Sequence, residues 1–328
     1  MKNITFLTVL VIITIFFTLH NSLFCQEQPS RRYELSIGPQ FGFTHGQVLE
    51  LVYPEYTPSP LLSELRWDVK PMVFYGANIN FGRIDPMKAL GFFASFSIKA
   101  GVPGDTGIME DRDWMSMENT SLTHFSSHTN KTNKFYSLDA EAGISIPVLS
   151  LFYTKPFISA SMMHFSFTGR DGYVKYARQK QDNPAAYYPI DDRPDTYTLS
   201  GDCINYTQDW LLFAFGFKLG RQLPANFSFD LSFQISPISF CVGIDEHIAR
   251  KIIFHDVTRW GLFLEPGARL SYTLERLEFS FDFAWRKIFN TRGETYISYN
   301  KENYALTGGE GGAAMSILNS SFLVMVHF

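Results

Sequence analysis

Phe227-Ser228-Phe229-Asp230-Leu231-Ser232-Phe233-Gln234-Ile235 sets an apolar side chain at every odd position and a polar one at every even position. Leu277-Glu278-Phe279-Ser280-Phe281-Asp282-Phe283-Ala284-Trp285 repeats the pattern. Side chains leave alternate faces with period two only in an extended strand, so each stretch predicts a strand with one face fit for lipid or a core and one polar face. The same period runs through Tyr33, Leu35, Ile37, Phe41 and Phe43, through Phe92, Ala94, Phe96 and Ile98, and through Tyr136, Leu138, Ala140, Ala142, Ile144 and Ile146. Ten strands are expected, near 33–48, 60–82, 88–103, 133–147, 151–169, 206–221, 226–243, 253–274, 277–292 and 312–328.

The connections alternate in length. Short turns fall at 82–87, 147–150, 221–225 and 274–276; long loops fall at 49–59, 104–132, 170–205, 244–252 and 293–311. Short turns at one end and long loops at the other, on an even number of strands, describe a barrel that closes without an edge in lipid. Composition agrees: 32 Phe and 16 Tyr in 328 residues sit beside a mean hydropathy of −0.05, as interleaved apolar and polar residues require. A formal net charge of −4 gives no reason to expect nucleic acid. Residues 1–25 read as an export signal, with Lys2, an apolar core over 4–19 and cleavage after Cys25, or alternatively acylation of Cys25. Residues 26–328 then form a single barrel domain. The fold class is therefore all-β, a ten-stranded antiparallel transmembrane β-barrel with long extracellular loops and short periplasmic turns. The closing strand, Ser321–Phe328, ends on an aromatic residue, which resembles the assembly signal of outer-membrane barrels.

Two clusters carry chemistry. Gly107-Ile108-Met109-Glu110-Asp111-Arg112-Asp113-Trp114-Met115 offers Asp111 and Asp113, which leave one face of an extended segment. Like charges held together cannot both ionise freely, which suits acid–base work or water binding. Asp245-Glu246-His247 offers a carboxylate and an imidazole at the same spacing. Both are expected in long loops, joining strands three to four and seven to eight, and so at the same end and across the mouth from each other. Taken alone, Asp-x-Asp in a polar loop is more often a solvated turn. Cys203 and Cys241 either pair in an oxidising compartment or stay as two thiols. Lys99, Asp139, Glu141, Asp230 and Asp282 are expected to fill the barrel interior as a satisfied polar network.

The chain resembles the omptin family of outer-membrane endoproteases over most of the mature barrel. Gly107–Met115 is similar to the family's first catalytic segment, Asp245–His247 to its second, and Ser63-Glu64-Leu65-Arg66-Trp67 to its Ser-x-Leu-x-Trp signature. The resemblance implies an aspartate/histidine peptide hydrolase with Asp111, Asp113, Asp245 and His247 as catalytic residues, His247 activating water. It implies substrate binding by Glu50, with cleavage beside basic residues, and by His128 within Ser126-Ser127-His128. No metal and no cofactor are expected. The family's binding of lipopolysaccharide makes outer-membrane lipid a partner. Peptide or protein substrates are taken from the extracellular side by a barrel that needs no second copy to complete its sheet, so a monomer is expected. Departures are equally specific: the family's second pocket acid falls on Gly243, another acid falls on His124, and the lipopolysaccharide-binding acid and arginine become Met162 and His164. Two other classes stay open, a catalytically silent barrel that binds host proteins through its long loops, above all 170–205, and a small pore.

Overall fold

The computed structural model describes residues 33–83, 86–148, 152–299 and 301–328. The expected signal at 1–25 and Cys25 lie outside them. Strands β1 (Tyr33–Tyr53), β2 (Ser63–Arg83), β3 (Gly91–Gly101), β4 (Gly104–Asp113), β5 (His124–Val148), β6 (Phe152–Tyr176), β7 (Asp195–Gln222), β8 (Phe227–His247), β9 (Ile252–Arg259), β10 (Phe263–Leu274), β11 (Leu277–Ile288), β12 (Arg292–Ser298) and β13 (Ala305–His327) form one antiparallel sheet. Thirteen segments make ten barrel strands. β3 and β4 run in line between β2 and β5, interrupted at Val102-Pro103, where proline has no N–H to give a ladder. β9 and β10 likewise share β8 as neighbour, and β11 and β12 share β13. β1 pairs with β13 from Ser36↔His327 to Tyr53↔Glu310, and the ring closes.

Which face meets lipid follows from burial. Phe41, Phe43, Tyr75, Phe96, Phe215, Leu231, Phe281 and Phe322 point outward and are exposed, while Gln40, Thr44, Asn78, Ser137, Ser161, Ser280 and Ser321 point inward and are buried. A water-soluble barrel would reverse this; an apolar band on the outside is what a bilayer stabilises.

The interior has two storeys. Towards the short-turn end the expected polar network is present: Asp139 takes Lys99 Nζ at 3.4 Å and Arg286 Nη2 at 3.2 Å, Glu141 takes Lys218, Tyr153 Oη donates to Asp230 at 2.8 Å, and Arg269 clamps Asp282 at 2.6 Å. Pairing is what makes these buried charges tolerable. Towards the long-loop end an apolar plug takes over, with Trp67 stacked between Phe167 at 5.5 Å and Tyr206 at 5.4 Å. Gln208, fully buried, spans from β7 to the carbonyl of Leu49 on β1.

Two expectations need correction. The strands run far past the predicted limits at the long-loop end, so that only 54–62, 114–123, 177–194, 248–251 and 299–304 remain as connections. Above the lipid band both strand faces carry polar groups, so the alternation fades from the sequence while the hydrogen-bond ladder continues. Accordingly Asp111, Asp113, Asp245 and His247 stand on β4 and β8, not on loops. Of the two states left open for the cysteines, the structure has the second: Cys203 and Cys241 are both free thiols. Cys241 pairs with Trp210, which puts Cys203 roughly 20 Å away along the neighbouring strand at about 3.3 Å per residue, too far to bridge.

Candidate active site

Two β-bulges aim the clusters inward. On β4 an extra residue between Asp105 and Gly107 opposes β5, so the inward set changes from Thr106 to Met109, Asp111 and Asp113. Gly107 sits there at φ 120°, and a methyl group on it would stand 2.7 Å from Asp68 Cβ, so the bulge requires glycine. On β8 the step from Ile235 to Ile238 faces the shorter step from Phe215 to Phe213 on β7, which makes Ser236-Pro237 the bulge. Below it Asp230 and Gln234 face the lumen; above it Cys241, Gly243, Asp245 and His247 do. Pro237 costs no ladder bond at a bulge, and Ser236 Oγ accepts from the Ile238 amide at 2.7 Å.

The inward residues converge on one cleft of about 280 Å³, above the lipid band and over the aromatic plug. Its walls carry Asp111 and Asp113 from β4, Asp245 and His247 from β8, Glu50 from β1 and Asp256 from β9. His247 Nε2 lies 2.7 Å from Asp245 Oδ2, and Phe254 meets the imidazole edge-on. Ser63 Oγ donates to Asp111 Oδ1 at 3.1 Å, and the β2–β4 ladder sets Ser63 directly against Asp113.

The electrostatics are those of buried acids with few cations. Burial raises the pKa of Asp111 well above the carboxylate range, and Asp113 beside it adds to the rise. Burial raises Asp113 too, against opposition from Ser63, His124 and Arg250. For His247, burial disfavours the imidazolium, but the Asp245 charge and hydrogen bond outweigh it and raise the pKa. Glu50, 2% exposed, is raised well above normal by burial and by Asp245 and Asp256. All these shifts are upward: burial and mutual repulsion favour protonated carboxyls, and the Asp245 charge favours the imidazolium, so the cleft holds protons more firmly than free side chains would.

Sequence reasoning placed Glu50, Asp111, Asp113, Asp245 and His247, and all five line the cleft. His128 does not. It is 3% exposed, with Nδ1 2.6 Å from the Asp171 carbonyl and Nε2 2.9 Å from Ser126 Oγ, so both nitrogens are engaged elsewhere. His124, aligned with β4 at Asp113, packs on Tyr176 and Tyr187. Asp256 and Arg250 were missed. Asp256 was readable in principle, because counting back from the four-residue turn 248–251 pairs it with Gly243. Among the described residues, no group of three or more His, Cys, Asp or Glu is arranged to hold a metal ion.

Comparison with known proteins agrees with this geometry. The model of the Omptin family matches residues 31–328. No curated protein sequence matches the chain. Among solved structures, the outer membrane protease OmpT from Escherichia coli superposes with a TM-score of 0.75 at 17% identity, over 93% of this chain and 99% of that one, which is a likeness of fold. The translocator domain of the autotransporter NalP from Neisseria meningitidis reaches a TM-score of 0.34 at 10% identity, covering 99% of this chain and 97% of that one. The toluene transporter TodX of P. putida reaches 0.32 at 8%, covering 92% and 91%. Scores this low say nothing about the present chain.

Proposed function

The chain belongs to the Omptin family, and from that premise we propose that it is an outer-membrane endopeptidase whose cleft opens to the extracellular side. The observation that carries the proposal is the meeting of Asp111, Asp113, Asp245 and His247 in one cleft, on strands far apart in sequence. A water held between the Asp111–Asp113 pair and His247 is the nucleophile. In the tautomer that donates Nε2–H to Asp245, His247 Nδ1 has the lone pair that accepts the water proton. The resulting hydroxide adds to the peptide carbonyl. A proton retained by the raised Asp111–Asp113 pair hydrogen-bonds the oxygen that gains charge, and the His247 imidazolium returns its proton to the departing amine. Atoms and charge balance without a covalent enzyme intermediate or a resident cofactor.

Glu50 is assigned to a cationic side chain of the substrate, which gives cleavage next to basic residues. Residues 1–25 are assigned to export and 26–328 to the barrel, whose closed ring needs no partner to complete its sheet; a monomer is the state proposed. Lipopolysaccharide dependence is weak in this reading, because Met162 and His164 stand where the family has its binding acid and arginine. His164 stacks on Tyr136 at 4.8 Å and its Nδ1 lies 2.7 Å from Asp209, while Met162 is exposed on the outer wall.

The test is cleavage of fluorogenic peptides containing Arg-Arg, Lys-Lys or neutral pairs, by refolded protein in matched detergent with and without lipid. Cleavage abolished in both His247→Ala and Asp111→Ala supports the assignment. A folded barrel that cleaves nothing under any of these conditions defeats it and favours a binding role for the loops.

A further inference from the structure

We propose that Asp256 is the second carboxylate of the pocket that takes the substrate's cationic side chain, so that the pocket keeps two acids although Gly243 bears none. The proposal rests on the peptidase assignment above and names the recognition element within it.

The β8–β9 ladder sets Gly243 directly opposite Asp256. A methyl group on Gly243 would lie 3.7 Å from Asp256 Cβ and 3.3 Å from Tyr206 Oη, so a side chain from either strand enters the same space. The acid has crossed the ladder. β13 makes room for it: a methyl group on Gly311 would stand 2.4 Å from Asp256 Cγ, and only glycine leaves the carboxylate its place. Thr295 Oγ1 then donates to Asp256 Oδ1 at 2.6 Å and fixes the rotamer.

The cleft is short of a cation here. Glu50 is 2% exposed and its Oε2 has no hydrogen-bond partner; Asp256 is 4% exposed and carries the Thr295 bond. Glu50 is repelled by Asp245, Asp256 and Asp111. Asp245 Oδ2 is committed to His247. Arg250, the one Lys or Arg lining the cleft, acts on Asp113, His124 and His247 and forms no salt bridge among the described residues. Buried carboxylates are normally paired, so a guanidinium or ammonium from the ligand is the missing partner of Glu50 and Asp256.

Two measurements test this. Peptides carrying Arg or its neutral isostere citrulline before the cleaved bond are compared in wild type, Asp256→Asn and the double variant Asp256→Asn with Gly243→Asp. The wild type is expected to prefer Arg, Asp256→Asn to lower the Arg-to-citrulline ratio of kcat/KM about tenfold to a hundredfold, and the double variant to restore most of it. Equal losses on both peptides would mean that Asp256 only supports the fold, and would overturn the proposal. Calorimetric binding of agmatine against N-carbamoylputrescine, its uncharged analogue, reads the pocket without chemistry. Agmatine bound more tightly than its analogue, and more weakly in Asp256→Asn, upholds the proposal even if no peptide is cleaved, in which case the peptidase assignment alone falls. Cleavage that needs His247 while the Arg-to-citrulline ratio ignores Asp256 leaves the peptidase standing and removes this pocket. Heat-modifiable migration on a gel checks folding, and Asp256→Ser replaces Asp256→Asn should the latter fail to fold.

Discussion

Asp245→Asn is the most informative single change in the cleft. It keeps size and shape at a site 3% exposed, and exchanges a charge-assisted hydrogen bond for a neutral one. A hydrogen bond to a charged group is worth about 1.5–3 kcal/mol, and at about 1.4 kcal/mol per decade that converts to roughly tenfold to 150-fold in kcat/KM. Removing the imidazole in His247→Ala takes away the base itself, for a loss of about 10²–10⁴. Because Asp245 acts through His247, the double variant should be no slower than His247→Ala alone. The pH profile gives a second readout. His247 works as a base only when deprotonated, so activity falls as pH drops through its pKa. Asp245 raises that pKa, hence Asp245→Asn moves the acidic limb of kcat/KM to lower pH. The assay is kcat/KM against pH with one basic peptide in detergent micelles. An unmoved or upward-moving limb, or a double variant slower by the product of the two single losses, would refute the coupling.

Arg250 lowers the His247 pKa, so Arg250→Ala should move the same limb to higher pH. Gly107→Ala forces a Cβ onto Asp68 at a left-handed φ; a loss of about 1–3 kcal/mol in stability, read as earlier thermal loss of the folded gel band, should come with loss of activity as Asp111 and Asp113 turn. His128→Ala, outside the cleft, should cost about 1–3 kcal/mol from the polar groups it abandons yet leave KM of the folded fraction unchanged. Burial, and the Asp245 charge against the Thr295 bond, push Asp256 up to about 7, above its unfolded range. Its contribution to stability is full below pH 4 and lost as pH rises through about 7. Asp256→Asn, with Glu50 and Asp245 still facing it, should therefore raise the melting temperature at pH 8 and change it little at pH 4. A wild type no less stable at pH 8 than the variant would contradict this.

Period-two alternation, strand count and the short-turn/long-loop asymmetry were legible because one strand face must satisfy lipid and the other a polar lumen. That constraint is local, one residue after the next, and Phe227–Ile235 alone displays it. The Asp111–Asp113 and Asp245–His247 spacings were legible for the same reason, since i and i+2 share a face. Which face they share was not. Carrying the pattern of Phe227–Ile235 forward along β8 points Asp245 and His247 outward, and the Ser236-Pro237 bulge reverses them; on β4 the Gly107 bulge passes the inward phase from Thr106 to Met109, Asp111 and Asp113. A bulge is set by the neighbouring strand's register, which no single stretch records. His128, grouped with the site by motif, is turned to Ser126 and the Asp171 carbonyl, while Asp256, in no motif, is carried into the cleft opposite Gly243. The sequence by itself determined a ten-strand barrel and the residue types available to its mouth. Only the tertiary structure decided which of them meet, because cross-barrel distance depends on ring closure and register rather than on neighbours in the chain.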